Sequence, residues 1–104
     1  QGAAREAYAE ALALNPREAL AHFNMGNALQ LAQRYEEAAE AYRLAVDADP
    51  GLGRGHFELA RTLIRLESFD EALTHARRAV EFMPDHANSR QMLADLERSL
   101  GGMP

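Results

Sequence analysis

Apolar residues fall in short clusters along this chain, and the longest uninterrupted apolar runs are only a few residues. A membrane-spanning helix needs about 20 in a row, so no membrane insertion is expected. Within the clusters the larger apolar residues recur three or four positions apart, as in Met25/Leu29, Leu59/Leu63 and Ala38/Tyr42/Ala45. That spacing places them on one face of a helix. The pattern predicts six helices, near 2–14, 18–32, 36–48, 52–66, 70–82 and 86–99. The loops between them are short, so sequential helices should pack antiparallel.

The breaks between these helices recur. Pro16, Pro50 and Pro84 are each 34 residues apart. Laying 19–52 over 53–86 without gaps gives nine identities, His22/His56, Phe23/Phe57, Leu29/Leu63, Glu37/Glu71 and Pro50/Pro84 among them. A fixed period of this length signals stacked supersecondary units. Small residues also recur, at Gly26, Ala38, Ala45, Ala60, Ala72 and Ala79, where two helices of a hairpin must approach closely. Gly26 inside a helix costs about 1 kcal/mol relative to Ala, so it needs such a packing reason. Met25, Leu29, Tyr42, Leu59 and Leu63 are expected to fill the spaces between hairpins. Ser68 and Glu71 have the spacing of a capping box. Asn15-Pro16 and Asp49-Pro50 each pair a good N-cap with a proline suited to a first helical turn.

The 34-residue pattern resembles the tetratricopeptide repeat. Numbering each repeat so that its proline is position 32, that family favours Leu at 7, small residues at 8, 20 and 27, and aromatics at 4, 11 and 24. The first full repeat offers His22, Met25, Gly26, Leu29, Ala38, Tyr42, Ala45 and Pro50. The second offers His56, Leu59, Ala60, Leu63, Ala72, Ala76, Ala79 and Pro84. Ala4, Tyr8, Ala11 and Pro16 fit the second half of an earlier repeat, and Leu93 and Ala94 the first half of a later one. The resemblance implies an all-α superhelical solenoid of antiparallel hairpins forming one domain. Residues 1–18 would be half a repeat, 19–52 and 53–86 full repeats, 87–100 a capping helix and 101–104 a tail. Arg90 and Glu97, polar residues at two aromatic positions, suit a cap. The first helix, with Tyr8, Leu12 and Leu14, is less polar. Either further repeats precede it, as in a targeting segment of a larger multi-repeat protein or enzyme, or it supplies a homo-oligomer interface for self-assembly.

Composition narrows the function. With 104 residues, a hydrophobic fraction of 47% and a charged fraction of 26%, this is the size and make-up of a single soluble domain. The absence of cysteine removes disulfides, thiolate metal ligands and a cysteine nucleophile. The net charge of -5 opposes nucleic-acid binding, which needs basic surface. All 11 positive charges are Arg, and Ala occurs 21 times. That usage suits a GC-rich genome, and a bacterial, cytoplasmic setting is expected.

No catalytic, cofactor or metal site is expected. None of the four histidines has the i, i+4 spacing of a zinc pair. His22 and His56 lie one repeat apart, too far to share an ion, and are expected to pack half-buried. His75 and His86 are expected at the surface. Asp47-Ala-Asp49 begins like a calcium loop but has Leu52 where the sixth-position glycine belongs, so it reads as a helix-end turn. Glu36-Glu37 and Asp70-Glu71 open helices, where negative charge suits the dipole.

The resemblance further implies a non-catalytic protein-interaction scaffold that binds a peptide along its concave face. Carried over position by position, that face takes Phe23, Asn24 and Asn27 from one hairpin and Arg54, Phe57, Arg61 and Arg65 from the next. Glu58, Ile64, Met92 and Asp95 belong to the same stripe. Phe23 and Phe57 would anchor a ligand, and Asn24 and Asn27 would hold its backbone. Helix 52–66 carries a net +2 within an acidic chain. Its arginines suit a carboxylate or an acidic peptide, although Glu58 lies three residues before Arg61 and could pair with it locally.

Overall fold

The computed structural model describes residues 16–101 and consists of five helices there. They are α1 (Pro16–Leu31), α2 (Tyr35–Ala48), α3 (Gly53–Arg65), α4 (Phe69–Phe82) and α5 (Ala87–Gly101). The helix expected at 2–14 lies outside the described residues. Helices α1 with α2 and α3 with α4 form the two most extensive pairings. Helix α3 packs back on α2, and α5 on α4. Described residues therefore build an all-α stack of antiparallel hairpins, as the period requires.

The first hairpin turns on one close contact. The ring of Tyr42 is completely buried and lies over Gly26, where a Cβ would come within 2.6 Å of ring atoms. Hence the glycine in mid-helix. Phe23 packs beside the same ring, with centroids 5.7 Å apart. The Tyr42 hydroxyl donates to Asn27 Oδ1 at 2.5 Å, which satisfies a phenol that could not otherwise be buried cheaply. Burial, with a contribution from the Glu58 charge, pushes the Tyr42 pKa well above its ordinary value. In the second hairpin the equivalent positions are Ala60 and Ala76, both fully buried. Leu59 and Leu63 complete the core from α3, while Ala38, Ala45, Ala72 and Ala79 keep the helices close. Met25, expected to fill the space between hairpins, is 55% exposed, whereas its equivalent Leu59, which has a hairpin before it among the described residues, is fully buried.

Helix ends depart from expectation in three places. Pro16 does open α1, where its missing N–H costs nothing. Asp49, however, caps the C-terminus of α2, and Pro50 sits in the turn before α3 begins at Gly53. The Asp49 carboxylate accepts from the Gly51 N–H at 3.2 Å, a local turn that competes with capping. Asp47-Ala-Asp49 is thus the helix-end turn that was expected. Ser68 precedes α4 but makes no side-chain cap bond, so the capping box does not form. Glu71 is drawn away from it. Both its oxygens accept from Arg43 of α2, each at 2.8 Å. These bonds hold the Glu71 carboxyl below its ordinary range and raise the Arg43 pKa.

The third departure is at α5. His86 precedes it and acts as its cap, its Nδ1 accepting from the Ser89 backbone N–H at 3.2 Å and lying 2.7 Å from Ser89 Oγ. His86 is therefore half-buried rather than a surface residue.

The turns inside both hairpins share a left-handed residue at the same repeat position, Gln33 (φ 63°) and Glu67 (φ 61°). Each closes the preceding helix with a pair of backbone bonds. Arg34 N–H reaches Leu29 O and Gln33 N–H reaches Gln30 O, both at 2.9 Å. Ser68 and Glu67 repeat this onto Leu63 and Ile64 at 2.9 and 3.0 Å.

Gly26→Ala is expected to destabilise the protein. Alanine improves helix propensity by about 1 kcal/mol, but overpacking against a buried ring costs about 1–3 kcal/mol. Thermal unfolding followed by circular dichroism should show Tm lowered by a few degrees. A raised Tm would mean that Tyr42 can move aside.

Candidate ligand-binding face

The expected binding residues do not all lie where the sequence suggests. Phe23 is 4% exposed and belongs to the core, so it cannot serve as a free anchor. Its exposed edge is covered by Arg54, whose guanidinium lies 5.4 Å from the ring centroid. Phe57 is half-buried, edge-on to His86 at 5.0 Å and covered by Arg61 at 5.7 Å. Asn27 spends its side-chain oxygen on Tyr42. Asn24 is exposed.

What the structure does bring together is a row of arginine–aromatic pairs on α3. Arg54 lies over Phe23, Arg61 over Phe57, and Arg65 over Tyr35 at 5.1 Å. An arginine held over a ring loses rotamer freedom before any ligand arrives, and cation–π attraction holds it there at about 0.5–1 kcal/mol. The three are not equivalent. Arg61 donates to Glu58 Oε1 at 2.8 Å, so the local i, i+3 pair foreseen from the sequence forms. Among the described residues, Arg54 and Arg65 make no ion pair. They are eleven residues apart on one helix, a rise of about 16 Å. Tyr35 was not foreseen as part of this face. Its equivalence to Phe69, one period on, was the available signal.

Glu58 is also tied into the seam between hairpins. Gln30 Nε2 donates to it at 3.4 Å, and Thr62 Oγ1 lies 2.7 Å from Gln30 Oε1. Thr62 is fully buried, and its polar atom is satisfied by this contact and by the Glu58 carbonyl.

A second cluster sits between α3 and α4. His75 was expected at the surface, but its side chain is only 17% exposed. Its Nδ1 lies 3.0 Å from Nδ1 of His56, which is itself 4% exposed. His56 Nε2 donates to the Pro50 carbonyl at 2.7 Å, so its Nδ1 must be the acceptor and His75 the donor. The His56 ring also stacks on Phe82, with centroids 5.9 Å apart. Burial lowers both pKa values, and for His75 the neighbouring His56 adds to it, bringing the value down to about 4. Arg78 and Arg43 push in the same direction, while Glu71, Glu81 and Asp49 oppose it. The spacing of 19 residues between them hides this contact from any short-range reading of the sequence. Among the described residues no three metal-ligating side chains converge, here or elsewhere.

Repeated helical hairpins with small residues at their crossings define a solenoid of the interaction type. Two models of the tetratricopeptide repeat match residues 2–52 and 29–96, and the chain belongs to that family. No curated protein matches this chain closely. Tetratricopeptide repeats generally mediate protein–protein interaction and are typically non-catalytic. No helix among the described residues is long and apolar enough to cross a membrane.

The histidine pair predicts an acid-sensitive fold. His75 protonates near 6.5 when unfolded and at about 4 when folded. The stability it contributes is present above 6.5 and is lost as pH falls toward 4. Urea denaturation across that window should show the loss. His75→Ala, matching Ala41 of the first hairpin, should flatten the profile. An unchanged slope would show that the titration lies elsewhere.

Proposed function

We propose that this domain binds an acidic, extended peptide segment of a partner protein along the arginine row of α3. The observation that carries the reading is the pair of exposed, ring-supported guanidinium groups at Arg54 and Arg65, with no ion-pair partner among the described residues. Guanidinium groups recognise carboxylates through paired, charge-assisted hydrogen bonds. A separation of about 16 Å matches roughly five residues of extended chain, at about 3.3 Å each. Carboxylates at that interval in a peptide would reach both. Asn24 is available to hold the peptide backbone, and Phe57 offers apolar contact beside Arg61. Arg61 is the weaker contributor, since its charge is already matched by Glu58. No cofactor or metal takes part in this reading.

The test uses peptides recovered by display selection on the wild-type domain. Arg54→Glu with Arg65→Glu should weaken their binding by about a hundredfold or more in fluorescence anisotropy. Helicity should stay unchanged, because both side chains are exposed. Arg61→Ala should cost less than either single reversal. Equal affinity of the double variant and the wild type would overturn the assignment, and so would a selection that returns no peptide.

A further inference from the structure

The two seams between successive hairpins are built at equivalent positions from different chemistry. In the first seam, Gln30, Glu58 and Thr62 form a hydrogen-bonded network. Arg65 closes its edge by lying over Tyr35. One period further on, the same five positions are Ile64, Met92, Leu96, Ser99 and Phe69. The network has become apolar, and the closing arginine has become a serine. Serine is too short to cover the ring, and Phe69 stands 38% exposed. The result is an open cavity of about 540 Å³ lined by these five side chains together with Asp95 and Leu100.

The geometry points to this cavity as the receptor for one bulky apolar side chain of the bound peptide: leucine, methionine, isoleucine or phenylalanine. The inference rests on the acidic-peptide reading above and adds an anchor to it. Ile64, which lines the cavity, and Arg65 are consecutive residues of α3, so the cavity and the arginine row share that helix. Asp95 does not oppose an acidic ligand, because its carboxylate already accepts from Gln91 at 2.9 Å and Arg98 at 3.2 Å. The occupant is therefore an apolar residue flanked by carboxylates. Cavities of this size, mostly apolar with a few polar groups at the edge, hold side chains in the way that interface hot spots do. Phe23 and Phe57, the anchors suggested by the sequence, are covered by Arg54 and Arg61. The ligand supplies the apolar anchor, and the protein supplies the hole.

Ser99→Arg tests this, because it restores the side chain that closes the first seam and lies on the exposed face of α5. Display selections on the wild type and on Ser99→Arg would be compared, with circular dichroism to confirm equal folding. Wild-type ligands should share one apolar position, and that preference should vanish on the variant. Replacing that residue by alanine should weaken wild-type binding by about ten- to hundredfold and leave binding to the variant unaffected. In methyl-detected NMR, the ligand should shift Met92 and leave Met25 unchanged. Acidic ligands without an apolar position, or with one that Ser99→Arg does not disturb, would overturn the cavity assignment and leave the arginine row standing. A selection that recovers no peptide would overturn both.

Discussion

The contact between Tyr42 and Gly26 sets the geometry of everything around it. A full aromatic ring fits between α1 and α2 only because one helix lacks a Cβ there. Its hydroxyl then needs a partner inside the hairpin, and Asn27 provides it. That commitment takes the Asn27 side-chain oxygen and leaves its amide N–H groups. Phe23, packed against the same ring, is buried. The core has claimed two residues that repeat position alone would assign to the surface. What remains for a partner is the layer above, the arginines that cover those aromatics.

That layer also explains how an acidic chain presents basic recognition. Net charge describes the whole molecule, but a ligand meets only the local field. On α2 and α4 most carboxylates are paired, as Glu71 is with Arg43, or placed in the first turns of helices; Asp47 and Glu81 lie near the helix C-termini instead. On α3 two of the three arginines are left without opposing charge among the described residues. Aromatic support does a second job there. It keeps guanidinium groups extended over apolar surface, so less ordering remains to be done on binding.

The architecture was legible in the sequence because it depends on regular spacing. The 34-residue period, the small residues at crossings and the apolar spacing within helices all survive as one-dimensional patterns. Helix caps were less legible. Ser68 and Glu71 have the right spacing for a capping box, but Arg43, 28 residues away, offers Glu71 two stronger bonds. The histidine pair and the burial of Phe23 depend on which side chains meet across helices, and residue type does not reveal that. Ser99 is the clearest case. By itself it is an ordinary surface serine, and only comparison with Arg65 one period earlier shows that something has been left out.

The unequal seams have a mechanical consequence. The first hairpin is strapped to the second by the bidentate Arg43–Glu71 pair and by the Gln30–Thr62–Glu58 network. Between the second hairpin and α5, the strap is a looser Arg77–Glu97 contact at 3.8 Å, beside an open cavity. Bending of the stack is expected to concentrate at the less braced junction. A side chain wedged into that junction acts as a splint. Occupancy of the cavity would therefore change the elasticity of the stack as well as its surface, and an event at one face would be felt along its length as stiffness.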